Sequence, residues 1–161
     1  AITFNGINLN DIPFDVLNKK VGFINHNAYI FNTTIRENIK MGKKDATDEE
    51  IYAVLKEANL DSFVKKLPNK LDTKVGEGGN LLSGGQKQRV ALARCLLRDK
   101  PILCLVEPFS ALDPKLRIEM QDLMDQLCEE KKLTMLLVTH QPKEIERHID
   151  RVIEIHQGKV I

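Results

Sequence analysis

The chain has 161 residues, and its 24 lysines and arginines against 23 aspartates and glutamates leave a formal net charge of +1 at pH 7. This length is enough to bury a substantial core and predicts a single domain. So small a net charge gives no overall field that favours nucleic acid or an anionic membrane, and no apolar run is long enough to cross a bilayer. Cys95, Cys104 and Cys128 are odd in number and widely spaced, which predicts reduced core cysteines of an intracellular protein and no disulfide framework.

A short strand and several helices are predicted in the first half of the chain. The apolar run Val21–Asn25 has the length of a strand, and His26 follows it directly. Capping-box spacing, which marks helix N-termini, occurs twice after this strand, at Thr34 with Glu37 and at Thr47 with Glu50. Residues 61–67 predict one more short helix, which Pro68 ends.

The string Leu-Ser-Gly-Gly-Gln-Lys-Gln-Arg at residues 82–89 is the most informative stretch of the chain. Ser83 is suited to cap the helix that follows, and Gly84 and Gly85 let the backbone approach a ligand closely. A helix N-terminus offers unpaired N–H groups and the positive end of the helix dipole, so this turn suits an anion such as phosphate. An ordinary loop-to-helix junction would explain Ser-Gly-Gly alone, but the residues that follow make the string far more specific.

Two buried-strand patterns come next, and each delivers one polar side chain at its C-terminal end. Residues 101–108 form an apolar run between two prolines, typical of a central parallel strand buried on both faces, and Glu107 lies at its end. Residues 134–139 repeat the pattern and lead to His140. Between them, Asp113 followed by a proline predicts a helix start. Open α/β sheets bind ligands at the carboxyl ends of their strands, so Glu107 and His140 are candidate site residues.

In this order the motifs resemble those of the ATP-hydrolysing nucleotide-binding domains of ABC transporters. The resemblance implies an α/β fold of the P-loop NTPase type, with a mainly parallel sheet flanked by helices. It also implies a small helical subdomain, at about residues 32–97, inserted in the α/β core. In intact members two such domains enclose two ATP molecules, and the signature motif of one domain faces the Walker A motif of the other.

The resemblance assigns a role to each candidate residue. Residues 82–89 correspond to the signature motif, in which four residues would contact the γ-phosphate of ATP held by the second domain: Ser83, Gly84, Gly85 and Gln86. Glu107 would polarise the attacking water, and His140 would steady the terminal phosphate. Ser110 and Asp113 belong to the D-loop, which would link the two sites, and His26 stands at the Q-loop position.

Three departures from the family pattern affect the binding of ATP and Mg²⁺. Val106 replaces the aspartate that precedes the catalytic glutamate, and a valine offers no oxygen to the metal. His26 replaces a glutamine. The sequence contains no Gly-x-x-x-x-Gly-Lys-[Ser/Thr] motif, and residues 2–9 resemble the strand that follows the Walker A helix. We therefore expect residues 1–161 to be one truncated domain that has no metal site and binds ATP and Mg²⁺ weakly or not at all by itself.

An open surface is a further expectation from this truncation. The preceding segment would normally contribute a central strand and a helix packed on the sheet. We therefore expect an open strand edge and an apolar face beside Val21–Asn25 and Ile102–Val106, which would invite self-association.

The resemblance also implies partners and a location. The expected partners are a second nucleotide-binding domain, in a homodimer or heterodimer, and a transmembrane transporter domain, with no nucleic acid. This predicts a cytoplasmic protein that is peripheral to a membrane through its transporter partner. Residues before the signature motif resemble exporters, whereas those after it resemble importer ATPases of the thiamine-uptake type. Two classes of function stay open: a transport-coupled ATPase domain, or a degenerate, engineered or chimeric fragment that acts only as a folding or interaction module.

Overall fold

The computed structural model describes residues 2–110, 112–145 and 149–161. Its elements in chain order are β1 (Thr3–Phe4), β2 (Ile7–Asn8), α1 (Phe14–Asn18), β3 (Val21–Asn25), α2 (Ile35–Lys40), α3 (Asp48–Glu57), α4 (Asp61–Lys66), α5 (Gly84–Leu97), β4 (Ile102–Val106), α6 (Pro114–Lys131), β5 (Thr134–Val138), α7 (Pro142–Ile145), β6 (Ile155–His156) and β7 (Lys159–Val160). Ala111, in the predicted D-loop, lies outside the described residues. None of the described helices is long and apolar enough to span a membrane.

A three-stranded parallel sheet in the order β3-β4-β5 forms the α/β part of the molecule. The register aligns Asn25 with Val106 and Val106 with Val138, so the three strands end at the same level. Two short antiparallel hairpins, β1–β2 and β6–β7, are separate from this sheet. The predicted fold class, a mainly parallel sheet flanked by helices, is confirmed.

One face of this sheet is covered and the other is open. Leu103 and Leu105 of β4 are buried in the same apolar cluster as residues of α5 and α6. The opposite face, here called the open sheet face, consists of Phe23, Cys104, Val106, Leu136 and Val138, all partly or largely exposed. The prediction that residues 101–108 are buried on both faces is therefore wrong for this chain, because α5 and α6 belong to the cluster on one side only.

The location of the strand edges also differs from expectation. Ile102–Val106 pairs with a strand on each side and is therefore central, so it offers no open edge. Among the described strands, β3 and β5 are the edges of this sheet. The predicted apolar face beside Val21–Asn25 is present as the open sheet face.

Helices α2 to α5 all lie between β3 and β4 in the chain. Both predicted capping spacings mark real helix starts: the Thr34 hydroxyl accepts from the Glu37 N–H at 3.1 Å, and Thr47 and Glu50 form a reciprocal capping box. Helices α2 and α3 pack on α5, which in turn packs on β3. Their contacts bury a set of large aliphatic side chains: Ile35, Ile39, Ile51, Leu55, Val90 and Leu92.

The Arg94 side chain links α5 by hydrogen bonds to α2 and to the segment that follows β3. Its guanidinium donates to the Asn38 backbone oxygen at 2.8 Å, to Asn38 Oδ1 at 3.0 Å and to the Tyr29 backbone oxygen at 3.0 Å. Burial lowers the pKa of Arg94. Gly42 permits this close approach, because a Cβ atom there would lie 2.3 Å from the Arg94 backbone oxygen. The helical layer therefore holds α5 in a fixed position over the sheet.

Candidate functional site

The carboxyl ends of the three parallel strands bring the predicted site residues to one edge of the sheet. His26 follows β3, Glu107 follows β4, and His140 comes two residues after β5. Because the strands end in register, the loops that follow them leave the sheet at the same level. This common edge is the reason that residues far apart in sequence lie at the same end of the sheet.

Glu107 and His140 are in direct contact across this edge. His140 Nδ1 lies 2.7 Å from Glu107 Oε1, and the His140 backbone N–H donates to the same oxygen at 3.0 Å. Glu107 Oε2 is buried and has no hydrogen-bond partner among the described residues. The Glu107 side chain is 22% exposed and that of His140 is 78% exposed. One carboxylate oxygen is thus held by His140, and the other is unengaged.

The backbone of Glu107 takes a conformation that non-glycine residues rarely adopt. Its φ of +48° is in the left-handed region, which costs an L-residue roughly 1–2 kcal/mol. The conformation is held by three hydrogen bonds: the Glu107 N–H donates to the Val138 oxygen at 2.8 Å, and the Ser110 N–H and hydroxyl donate to the Glu107 oxygen at 3.3 and 3.0 Å. Strain of this kind is found preferentially at functional sites.

The signature turn is a tight helix cap. The Ser83 hydroxyl accepts from the Gln86 N–H at 3.3 Å, and Gln86 Oε1 accepts from the Ser83 N–H at 2.9 Å. A Cβ atom on Gly84 would meet nothing within 4 Å, so the helix end is open there. A Cβ atom on Gly85 would lie 2.3 Å from Leu116 Cδ2, so this glycine permits contact with α6. The two glycines therefore have different local roles, which their shared motif does not reveal.

The two D-loop residues are engaged in local structure. Asp113 Oδ1 accepts from the Leu116 N–H at 3.0 Å and caps α6, as predicted from its sequence position. The Ser110 hydroxyl bonds the backbone of Glu107. Through these contacts the D-loop segment joins Glu107 to the start of α6.

Gln88 connects the signature helix to the Q-loop position, and sequence reasoning missed it. Its buried side chain donates from Nε2 to the His26 backbone oxygen at 3.1 Å, while His26 itself is exposed. The sequence feature that could have identified Gln88 is its position on the apolar stripe of α5, one helical turn before Leu92. The contact uses the backbone at position 26, so it does not depend on whether the side chain there is histidine or glutamine.

The oxygen donors at this edge do not fit a Mg²⁺ site of their own. Val106 lies on the open sheet face beside Asn25 and Val138 and contributes only apolar surface. Among the residues that the structure describes, no group of three or more His, Cys, Asp or Glu side chains could hold a metal ion. Magnesium requires near-octahedral oxygen coordination. A divalent cation here would need its oxygens from nucleotide, from water or from another segment.

Comparison with known proteins identifies the family of the chain. The model of a protein family described as ABC transporter matches residues 1–110. The chain is 49% identical over 133 residues to the thiamine import ATP-binding protein ThiQ of Haemophilus influenzae, covering 79% of this chain and 57% of that protein. It is 37% identical over 161 residues to the ATP-dependent lipid A-core flippase of Desulfotalea psychrophila, covering 100% of this chain and 28% of that protein.

A solved structure shows the same fold. A bacterial Atm1-family ABC exporter with ATP bound superposes with a TM-score of 0.85 at 32% identity, covering 97% of this chain and 27% of that one. The chain thus spans little more than half the length of the importer protein and about a quarter of the flippase and exporter chains. Both lineages expected from the sequence, importer and exporter, are represented among these relatives. The chain belongs to the ABC transporter family, within its ATP-binding domains.

Proposed function

We propose that this chain supplies the signature motif, the catalytic glutamate and the switch histidine to a composite ATP site formed with a second nucleotide-binding domain. The observation that carries the proposal is the contact of 2.7 Å between His140 Nδ1 and Glu107 Oε1 at the ends of adjacent parallel strands. Residues 33 positions apart reach this geometry only through the sheet register.

Glu107 and His140 have complementary chemistry for phosphoryl transfer to water. A carboxylate can polarise an attacking water, and Glu107 Oε2 is the oxygen that His140 leaves unengaged. When His140 Nδ1 donates to Glu107, Nε2 of the neutral ring remains an acceptor, and protonation makes it a donor to a phosphate oxygen. Phosphoryl transfer depends mainly on such positioning and on charge stabilisation.

The signature turn is the proposed contact for the γ-phosphate of an ATP held by the partner domain. The first N–H groups of a helix have no intrahelical acceptor and attract anions. In α5 the open space at Gly84 leaves room for a phosphate next to these groups. Ser83 and Gln86 shape the turn through their reciprocal cap, so their contribution to binding includes holding the backbone in place.

The proposed domain organisation follows the insertion between β3 and β4. We assign about residues 32–97 to a helical subdomain and expect its outer surface to meet a transmembrane transporter domain on the cytoplasmic side. The exposed Tyr29 and Phe31 rings, 4.6 Å apart, and the segment that the Thr34–Lys74 bridge holds beside α2 support this surface. Transport direction and substrate belong to the whole transporter.

Mixing this chain with a domain that lacks only a working signature motif tests the proposed signature contact. That partner would carry its own Walker A motif and an inactivated signature. We expect the 161-residue chain to restore ATP-dependent association and phosphate release by the mixture. Gly84→Val should abolish both, because its side chain fills the open space at the helix end. Ser62→Val places the same side chain in the exposed first turn of α4 and should have no effect. Failure of the unsubstituted chain to associate in an ATP-dependent way would overturn the proposal.

A non-catalytic role is the second candidate, and Val106 is the observation that favours it. An apolar residue at this position removes a metal-binding oxygen close to Glu107. In that case the same mixture would associate in an ATP-dependent manner, whereas residues 1–161 preceded by a Walker A segment would associate in this manner without releasing phosphate. Measuring association and release separately therefore distinguishes the two candidates.

A further inference from the structure

We infer that Arg117 is a positioning residue that couples the D-loop segment to His140. This inference rests on the proposed roles of Glu107 and His140, and it concerns a residue that none of the sequence motifs singles out. Arg117 lies in the first turns of α6, shortly after the D-loop.

The guanidinium of Arg117 joins two different segments. Its Nη1 donates to Gln141 Oε1 at 2.8 Å, on the loop after β5, and its Nη2 donates to the Leu112 backbone oxygen at 3.3 Å, in the D-loop. The planar fork of an arginine can hold two acceptors in a fixed relative geometry, which a single ammonium group does less well. Arg117 therefore fixes the distance between the D-loop backbone and the side chain of Gln141.

Gln141 transmits this constraint to the candidate site. It is the residue directly after His140, and its own N–H donates to the Thr139 hydroxyl at 3.1 Å. His140 in turn gives Glu107 Oε1 two hydrogen bonds, one from its backbone and one from its ring. A continuous series of bonds thus runs from the Leu112 oxygen through Arg117, Gln141 and His140 to the Glu107 carboxylate.

The environment of Arg117 argues against a purely structural role. Both of its hydrogen-bond acceptors are neutral, and its Nε is buried with no partner among the described residues. Both carboxylate oxygens of the buried Glu144 in α7 are likewise unpartnered there. Incompletely satisfied buried polar groups cost stability, and proteins retain them preferentially at functional sites. An apolar side chain would fill this place at lower cost if only packing mattered.

The ¹⁵N NMR chemical shifts of the two His140 ring nitrogens provide a direct readout of this coupling. The 161-residue chain would be labelled with ¹⁵N-histidine, and the His140 signals would be assigned by comparison with His140→Asn. We expect distinct Nδ1 and Nε2 signals in the unsubstituted chain, because the bond to Glu107 selects one tautomer. Arg117→Ala and Gln141→Ala should each move these signals toward each other, and the double variant should add no further shift.

Two further variants make the result decisive. Arg117→Lys keeps the charge and a single donor nitrogen, so it should shift the His140 signals less than Arg117→Ala does. Arg98→Ala removes an arginine whose guanidinium donates to Asn18 Oδ1 at 3.3 Å, and it should leave the signals unchanged. If Arg117→Ala does not fold, Gln141→Ala still tests the same link from its other end. His140 signals that respond no more to Gln141→Ala or Arg117→Ala than to Arg98→Ala would overturn the inference.

The result of this NMR experiment can be interpreted separately from the result of the mixing experiment that tests the proposed function. The mixing experiment with Gly84→Val does not involve Arg117, and its failure would overturn the composite site while the His140 signals could still show the coupling. Conversely, unchanged His140 signals together with rescue of the partner domain would overturn the coupling alone.

Discussion

Single residues at the ends of β4 and β5 carry most of the functional argument. Glu107 is held in a left-handed backbone conformation by bonds from Ser110 and to Val138, and its carboxylate is held by His140. Val106, the residue before it, faces the open side of the sheet. Val106 is the last residue of β4 and Glu107 follows it, so the proposed acid–base group and the position that lacks a metal-binding oxygen are neighbours in sequence.

Glu107→Gln is the sharpest test of the catalytic assignment. It would be made in an extended protein, defined here as residues 1–161 preceded by a Walker A segment. Glutamine keeps an oxygen that accepts from His140 but cannot act as a base, so we expect phosphate release to fall by roughly 10²-fold or more. Glu129→Gln, on the exposed side of α6, is the matched control and should leave release unchanged. Equal release by the Glu107→Gln variant and the unsubstituted protein would contradict the assignment.

Val106→Asp, made in the same extended protein, tests whether the absence of a metal-binding oxygen at position 106 limits the reaction. An aspartate would restore an oxygen donor, and we expect Mg²⁺-dependent phosphate release to rise clearly. Because a partly buried carboxylate without its cation destabilises a strand end, the free energy of unfolding must be measured in parallel. Equal turnover with valine and aspartate, in a protein that remains folded, would show that this position does not limit the reaction.

At the scale of elements, the position of α5 depends on close contacts at two glycines. The contact at Gly42 allows the end of α2 to meet the Arg94 oxygen, and the contact at Gly85 allows α5 to meet α6. The open position at Gly84 contributes nothing of this kind. Glycines close together in one layer are thus expected to differ strongly in their tolerance of substitution.

Gly42→Ala should destabilise the fold. Its Cβ would lie 2.3 Å from a backbone oxygen that cannot turn aside, so the helices must separate, at a cost of about 1–3 kcal/mol in the free energy of unfolding. Gly84→Ala adds a methyl group to open space and should change stability by less than about 1 kcal/mol. Urea denaturation of both variants measures the difference, and equal midpoints would contradict this account of α2 packing.

The capping box of α3 predicts a specific acid sensitivity. Hydrogen bonds from the Lys43 side chain and the Thr47 N–H lower the pKa of Glu50 below its ordinary value of 4.5. Because the folded-state pKa is depressed, this contribution to stability is present above the unfolded value and is lost as the pH falls through the folded value. Glu50→Gln should therefore reduce the loss of stability below about pH 4.5. The slope of unfolding free energy against pH, compared with that of Glu49→Gln, measures the effect.

How far sequence predicts this structure depends on whether a feature is local. Apolar runs and capping spacings located β3, β4 and β5 and the starts of α2, α3 and α6, because these patterns reflect the period of each element. The closeness of Glu107 and His140 followed from two parallel strands ending together. Contacts such as Arg94 with Asn38, or Arg117 with Gln141, join residues far apart in the chain and leave no periodic signal. The open sheet face was expected from the resemblance and not from periodicity, because β4 has apolar residues on both of its faces.

On the scale of the whole molecule, the open sheet face is the dominant feature of the described surface. Phe23 of β3 and Leu136 and Val138 of β5 expose large apolar side chains on this face, and β5 offers an unpaired edge among the described strands. Contiguous apolar surface and an unpaired strand edge both favour association. We therefore expect the polypeptide of residues 1–161, when produced alone, to self-associate.

Leu136→Lys should shift this polypeptide toward monomer in sedimentation experiments, because it places a charge on the open sheet face beside the unpaired edge of β5. Ile118→Lys introduces the same charge at an exposed apolar position of α6 and serves as the control. Hydrogen exchange should show weaker protection in β5 than in the central β4. A monodisperse monomer at high concentration, with both strands equally protected, would refute the expectation.

The left-handed conformation of Glu107 has an evolutionary consequence. Glycine, and to a lesser degree asparagine, adopt this backbone geometry at lower cost, so replacing the glutamate relieves roughly 1 kcal/mol of strain. Selection for thermal robustness alone would therefore erode this position, and only selection for turnover would preserve the carboxylate. In sequences descended from this chain, a glutamate at position 107 would therefore indicate selection for turnover, and its replacement would indicate selection for stability alone.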